Sequence, residues 1–453
     1  MAAGQGTRMR SALPKVAHPI AGRPLVRHVV EAAREAGVAD RIVVVSEGPE
    51  AAAVREAAGD GVRFAVQPQP LGTGHAVACA REAAGDAEFV LIMNGDVPLV
   101  LPATLRRLMD AVERDPAQQV ALLTACVPVE TYGYIELSGG RVTRIVETKE
   151  SEGVDRGARR QINAGQYAAR ASWLWPRLSK IPPAENGERY LTHLAAMAHD
   201  EATPAVAVEA ADPVEVRGIN DRIQLADAEA AMRDRIRRRH MLAGVTIVDP
   251  PSTFIDATVT IAADTTLGPD THLLGSTSIG AYSTIGPGTL IRDSSVGETC
   301  EIRFSMVEDS TVESRVDIGP YSHLRPGSHL CEGVHIGNYA EIKASRLGRG
   351  TRMGHFSYIG DATVGDDVNI GAGVVTANFD GAAKHRTTIG DGAFIGSDTM
   401  LVAPVSIGRG AGTSAGSVVT RDVPDGMMAI GAPARIRAQG AGGAQEDADP
   451  GQR

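Results

Sequence analysis

Cysteine, aromatic residues and long apolar runs are all scarce in this chain, and each scarcity excludes something. The four cysteines (Cys79, Cys126, Cys300 and Cys331) are scattered and form no CxxC pair. A disulfide framework or a zinc ribbon is therefore not expected, and reduced thiols in a cytosol are the simplest reading. No stretch approaches the roughly 18 uninterrupted apolar residues of a membrane span, and no secretory apolar segment opens the chain. Basic residues are outnumbered, giving a formal charge of −10, which argues against general nucleic-acid binding but leaves room for local basic pockets. What remains is an ordinary soluble composition, 43% apolar and 22% charged, over 453 residues. That length is too great for one core, so two domains are expected.

The second half carries a six-residue period. Ile255, Ile261, Leu267, Leu273, Ile279, Ile285 and Ile291 follow one another at that step. The rhythm returns at Val312, Ile318, Leu324, Leu330, Ile336 and Ile342, and again at Ile389, Ile395, Leu401 and Ile407. A helix needs a period of 3.6 and a flat strand a period of 2. A six-residue step fits a chain that turns a corner after every short strand, which predicts a parallel β-helix of about nine coils between Ile255 and Val419. The first half instead alternates apolar strands, such as Ile42–Val45 and Phe89–Met93, with Ala-rich helical stretches at 27–36 and 75–84. That pattern predicts a doubly wound α/β domain. The expected boundaries are 1–222 for this domain, 223–243 for a connecting helix, 244–436 for the β-helix and 437–453 for a disordered tail. The basic run Arg233, Arg235, Arg237, Arg238 and Arg239 is read as the solvated face of that connecting helix.

Near the start, Ala2-Ala3-Gly4-Gln5-Gly6-Thr7-Arg8-Met9 is followed by Pro14-Lys15. Two glycines let backbone N–H groups approach a polyphosphate, and Arg8 and Lys15 supply positive charge. Glycines alone fit a tight turn equally well; neither a dinucleotide fingerprint nor a Walker loop is present. Asp96 follows an apolar strand, at the edge where α/β sheets place ligands, or simply at a turn. His355 is a side chain suited to general-base work near neutrality, or a surface residue on a coil edge.

Taken together, these strings resemble a known family. The glycine loop, Gln67, Leu71-Gly72-Thr73-Gly74-His75-Ala76, Gly95-Asp96-Val97-Pro98-Leu99, Glu147, Asn163-Ala164-Gly165 and Gly218-Ile219-Asn220 occur in order. The hexads, Leu324-Arg325-Pro326-Gly327, Gly354-His355 and Asn369-Ile370-Gly371-Ala372-Gly373 complete the series. The chain resembles the bacterial bifunctional N-acetylglucosamine-1-phosphate uridylyltransferases / glucosamine-1-phosphate acetyltransferases over nearly its whole length. The resemblance implies a Rossmann-like nucleotidylyltransferase domain followed by a left-handed parallel β-helix of hexapeptide repeats.

It also implies roles. Ala2, Ala3, Gly4, Arg8 and Lys15 would hold the triphosphate of UTP, with Gln67, Gly72 and Thr73 at the uracil. Gly133, Glu147 and Asn163 would hold N-acetylglucosamine 1-phosphate, and Asp96 with Asn220 a Mg²⁺ ion. In the β-helix, His355 would be the base, with Arg325, Lys343, Tyr358 and Asn369 on glucosamine 1-phosphate. Ala372, Asn378, Phe379, Lys384, Ser397 and Ala415 would meet acetyl-CoA. A cytoplasmic homotrimer with inter-subunit acyl sites is implied, taking only small-molecule substrates, with no nucleic acid and no membrane. Rival readings are a single-activity sugar-phosphate nucleotidylyltransferase with a regulatory β-helix, and a truncated paralogue acting as acetyltransferase or scaffold.

Departures from the family pattern carry expectations too. The family has an apolar strand before the phosphate loop, where this chain begins, and a truncated gene model is the expected explanation. Tyr134 follows Gly133 where Arg is usual, His193 stands for Asp, and Phe379 for Tyr. Arg435 is the candidate for the family's late arginine.

Overall fold

The computed structural model describes residues 1–4, 6–129, 132–147, 155 and 157–438. Two compact units divide the chain, Met1–Met232 and Arg233–Arg453.

In the first unit, strand Ile42–Ser46 pairs in parallel with Arg63–Gln67. Val43, Val44 and Val45 are all buried, as befits a strand covered on both faces. The larger sheet runs in the order Val206–Glu209, Val120–Pro128, Arg159–Arg170, Tyr134–Ser138, Arg141–Val146. The expected parallel winding holds only in part. The long strand Arg159–Arg170 runs antiparallel both to Val120–Pro128 and to Phe89–Ile92. Helices Leu25–Glu35 and Pro102–Glu113 cover one face, contributing Val29, Ala33, Leu105 and Leu108 to the core. Met1 and Ala2 lie between the strands Ile42–Ser46 and Phe89–Ile92. The Ala2 N–H donates to Val44 O and the Gly95 N–H to Met1 O, both at 2.8 Å.

The helix read as a connector forms over Arg222–Leu242. Its first half packs Leu225, Ala228 and Met232 on Ile20, Leu25, Leu99 and Ile219 of the first unit. The basic run is not wholly the solvated face expected of it. Arg237 is buried and donates to Pro250 O at 2.7 Å, and the Arg233 guanidinium lies 4.1 Å from the centre of the Phe254 ring. Buried aliphatic stems with charged heads on carbonyls and rings are the usual way such residues enter an interior.

The second unit is a left-handed parallel β-helix. Among the described residues its three faces carry sheets of 12, 10 and 9 strands. The first face starts at Thr246–Ile247, the second at Phe254–Ile255 and the third at Thr260–Ile261. Every aliphatic residue of the hexad series is buried. The gaps in that series are not breaks. Val296, Ile302 and Val307 fill the first, and Leu347, Met353, Ile359, Val364 and Ile370 most of the second, on sides shortened to five residues in places. Two positions before many of these aliphatics sits a buried Ser or Thr, as in Thr265, Thr277, Ser322, Thr351 and Ser357. Their hydroxyls satisfy backbone groups of the next coil, with Thr265 Oγ1 donating to Gly280 O and Thr351 Oγ1 to Gly365 O. The last strand, Arg435–Ala438, pairs antiparallel with Met427–Ile430 and runs two residues past the expected boundary at 436. The remainder of the expected tail, from 439, lies outside the described residues.

Candidate functional site

The glycine loop is shaped by what its glycines exclude. Gly6 has φ +61°, and a Cβ there would stand 2.6 Å from the Lys15 Cβ, so only glycine lets Lys15 pack across the loop. Gly4 is exposed, and a Cβ there would have nothing within 4 Å, which leaves its backbone open to a ligand. Lys15 points inward. Its Nζ lies 2.5 Å from Asp96 Oδ2 and 3.2 Å from Asn220 Oδ1. Arg8, on the rim, donates from Nη2 to the same Asn220 oxygen at 2.9 Å. Asn220 is itself placed by Gln224, whose Oε1 accepts its N–H at 2.7 Å, and by Ile219 N–H on Asp96 O at 2.9 Å.

Lys15 and Asp96 open onto a cavity of about 370 Å³, whose lining does not include Arg8 or Asn220. Ala2, Ala3, Gly4, Lys15, Gln67, Gly72, Thr73 and Asp96 line it, as do Asn94, Glu188 and Tyr190, which the sequence reading did not select. Gly72, at φ +92°, is pressed against the next segment, and a Cβ there would meet Arg189 O at 2.6 Å and Arg189 N at 2.7 Å. That contact is fixed by Arg189 N–H on Leu71 O and Gly74 N–H on Arg189 O, both 2.8 Å, and by Leu191 N–H on Thr73 Oγ1 at 2.9 Å. Gln67, buried, donates from Nε2 to Gly72 O at 3.1 Å. The wall that would face a flat base is thus one hydrogen-bonded unit.

The three sugar candidates are linked to this cleft but do not line its floor. Gly133 O accepts the Asn163 N–H at 2.8 Å. Asn163 Oδ1 accepts from Tyr167 Oη and Gly165 N–H, and Gly165 in turn lies against Asn94. Burial holds the Tyr167 phenol well above its ordinary range, so it stays a donor. Glu147 accepts from Thr192 Oγ1 at 2.7 Å. His193 caps no carboxylate role; its Nδ1 lies 3.2 Å from Tyr190 O. Tyr134, where Arg was expected, packs its ring beneath the Arg160 guanidinium, 4.8 Å away.

In the β-helix the candidates fall into two groups. Arg325, Lys343, Tyr358, Asn378 and Lys384 belong to successive coils of the second face or the loop that leaves it. Register places Tyr358 beside Glu341, which accepts from Arg325 Nη1 at 2.8 Å. Asn378 Nδ2 donates to Asp361, and a Cβ on Gly360 would stand 2.3 Å from Tyr358 Oη and 2.8 Å from Asn378 Nδ2. The Lys384 ammonium is held below its ordinary value, first by its contact with Lys343 and the like charge there, with Asp361 opposing. Asp361, absent from the sequence reading, is therefore the hub of this group.

The second group follows a corner. The register pairs Met353, Ile370, Ile395 and Thr413 in consecutive coils, so His355, Ala372, Ser397 and Ala415, two residues on, form one column. His355 is exposed there. Asn369 stands apart from both groups, exposed on the first face. The break in the hexads is a loop as expected. Asp380 organises it, accepting the N–H groups of Ala382 and Ala383 at 2.8 and 2.7 Å and pairing with His385 Nε2 at 2.7 Å. Those contacts hold its carboxyl far below the usual range. Phe379 at the tip is exposed. Arg435 is likewise exposed, on the last strand.

Two family models match separate parts of the chain. The model of the MobA-like NTP transferase domain matches residues 1–160, and that of the hexapeptide repeat of succinyl-transferase matches residues 386–421. Curated relatives similar to this chain carry the name "Bifunctional protein GlmU". The one from Heliobacterium modesticaldum is 46% identical over 433 residues, covering 95% of this chain and 94% of the relative. That from Brevibacillus brevis is 43% identical over 434 residues, 95% and 93% of the two chains. That from Pelobacter propionicus is 44% identical over 450 residues, 97% and 96%.

Proposed function

The chain belongs to the family of the bifunctional protein GlmU, and on that premise we propose how its two sites divide the work. The protein makes UDP-N-acetylglucosamine in two transfers. The acetyl group of acetyl-CoA passes to the amine of glucosamine 1-phosphate, and the acetylated sugar phosphate then takes the uridylyl group of UTP, releasing pyrophosphate.

Uridylyl transfer belongs to the cleft of the first unit. A phosphate oxygen of the sugar attacks the α-phosphorus of UTP, and the reaction depends on positioning and on neutralising charge. In this reading Ala2, Ala3 and Gly4 present backbone to the triphosphate while Arg8 and Lys15 offset its charge. Gln67, Gly72 and Thr73 form the wall for uracil, and Gly133, Glu147 and Asn163 hold the sugar. The single observation that carries it is the meeting of Asp96 and Asn220 on one nitrogen, Lys15 Nζ. A carboxylate and an amide oxygen that close together suit a hard divalent cation, so Asp96 and Asn220 are the residues that would hold Mg²⁺. Bound there, the ion would neutralise phosphate charge, and Lys15 would turn from the pair to the triphosphate.

Acetyl transfer belongs to the β-helix. His355 takes a proton from the sugar ammonium, and the freed amine attacks the thioester carbonyl. A C–N bond forms, the C–S bond breaks, and coenzyme A leaves as a thiolate that is then protonated. Arg325 and Lys343 hold the sugar phosphate, with Tyr358 and Asn369 on the ring. Ala372, Asn378, Phe379, Lys384, Ser397 and Ala415 take acetyl-CoA. The placement of these candidates on one face, one corner and a second face of a single prism supports a homotrimer in which neighbouring copies complete each acyl site. We place the enzyme in the cytoplasm; no described helix is long and apolar enough to cross a membrane.

The test is to assay the purified protein for coenzyme A release with glucosamine 1-phosphate, and separately for pyrophosphate release from UTP. His355→Ala should lower acetylation by about 10²–10⁴-fold and leave uridylyl transfer unchanged. Equal loss of both activities in a folded protein would refute the division.

A further inference from the structure

On the third face of the prism, the residue after the inward aliphatic follows a rule. Register aligns Ile261, Ile279, Val296, Val312, Leu330, Leu347, Val364, Ile389 and Ile407 from coil to coil. After the first comes Ala262, and six of the others are followed by glycine, from Gly280 to Gly408. Crowding explains the glycines. A Cβ on Gly280 would stand 2.5 Å from Gly297 C, and one on Gly348 would stand 2.3 Å from Gly365 O. Two consecutive coils depart from this rule, and they carry Glu313 and Cys331.

The strand residue before Leu330 adds a third ligand type. His329 projects outward beside Cys331, and its Nε2 lies 2.7 Å from Glu313 Oε1. Glu313 Oε2 is anchored by the Glu332 N–H at 3.0 Å. Cys331 is 1% exposed. The carboxylate oxygen, imidazole nitrogen and thiol sulfur all lie within 4.8 Å of one another. Donors around a tetrahedral zinc ion are roughly 3.5 Å apart at the usual bond lengths, so rotations of the half-exposed Glu313 and His329 close the gap. Glu313 also lines a surface groove with Ser295, Gly297, Thr311 and Ser314.

We propose that Glu313, His329 and Cys331 form a three-ligand site for a borderline-soft divalent cation of the Zn²⁺ class, with solvent in the fourth position. Sulfur and imidazole donors separate it from the hard-oxygen pair Asp96 and Asn220. Binding displaces the thiol proton to solvent, and His329 binds through a ring nitrogen free of its proton. Two anionic ligands and one neutral one balance the dication.

The full chain, freed of metal with a chelator, should be titrated with Co²⁺ and then with competing Zn²⁺. A thiolate-to-cobalt charge-transfer band that Zn²⁺ abolishes is expected. Cys331→Ala should remove the band and weaken Zn²⁺ binding at this site at least about tenfold, while Cys126→Ala, a thiol of the first unit, should keep both. His329→Gln and Glu313→Gln should each weaken binding, with unfolding temperatures recorded to show that every variant is folded. No thiolate band in the unaltered protein, a band that survives Cys331→Ala, or unchanged affinity in both His329→Gln and Glu313→Gln would overturn the proposal.

Discussion

Asp96 and Asn220 share a single hydrogen-bond partner: Lys15 Nζ sits between them, 2.5 Å from one oxygen and 3.2 Å from the other. The ammonium supplies in the free protein the positive charge that two converging oxygens require. Asp96→Ala should therefore lower uridylyl transfer by about 10²–10³-fold, measured as pyrophosphate release, with acetylation unaffected. A loss that extra Mg²⁺ fully restores would mean that Asp96 tunes affinity only.

Gly72→Ala should be more damaging than its size suggests. The new methyl meets the Arg189 backbone at 2.6 Å in a left-handed conformation at φ +92°. Strain of this kind costs about 1–3 kcal/mol, and the wall formed by residues 71–74 and 189–191 must shift. The expected result is a lower unfolding temperature and a raised KM for UTP; an unchanged KM would show that this wall does not meet the nucleotide.

Asp380→Ala should loosen the loop that carries Asn378, Phe379 and Lys384. It removes two backbone N–H bonds and the His385 pair. Charge-assisted bonds of this kind hold the turn in a single shape. The variant should raise the KM for acetyl-CoA about tenfold with no change in uridylyl transfer. An unaltered KM would disconnect the loop from the cofactor.

The stability of the first unit should depend on His28. Burial lowers its pKa from 6.5 to about 4, and its Nε2 donates to Ile20 O at 2.9 Å. The unfolded chain takes up a proton below pH 6.5, whereas the native protein resists until about pH 4. The contribution is thus complete above pH 6.5 and lost between 6.5 and 4, by up to about 3 kcal/mol. Denaturant titrations across that window should show the decline, and His28→Gln should flatten it. The same slope in His28→Gln would assign it to other groups.

How much of this was legible in the sequence varies with the physics of each element. The β-helix was, because its inward aliphatics recur at a fixed step that neither a helix nor a flat strand can use. Its five-residue sides were not: Val296 and Val307 are buried like their neighbours but fall off the strict period. The buried hydroxyls at Thr265, Ser322 and Ser357 stand in the sequence at a constant two-residue offset from the inward aliphatics and could have been found. In the first unit the resemblance already paired Asp96 with Asn220, but the placement of Lys15 between them depends on tertiary folding. Asp361, Glu188 and Tyr190 carried no local signal, since a carboxylate or phenol in a turn reads as surface. Likewise Glu313 and Cys331 gain meaning only when the coils are stacked in register.

That stacking has an evolutionary corollary. Each coil of the prism bonds to the one before and the one after, so whole turns can be gained or shed as modules while the neighbouring turns keep their shape. The excursion from Asn378 to Arg386 leaves the prism between Ala377 and Thr387 without disturbing the pairing of Thr363 with Thr388. Prism length is therefore set turn by turn, whereas the position of His355 above Ala372, Ser397 and Ala415 depends on the register of four successive turns.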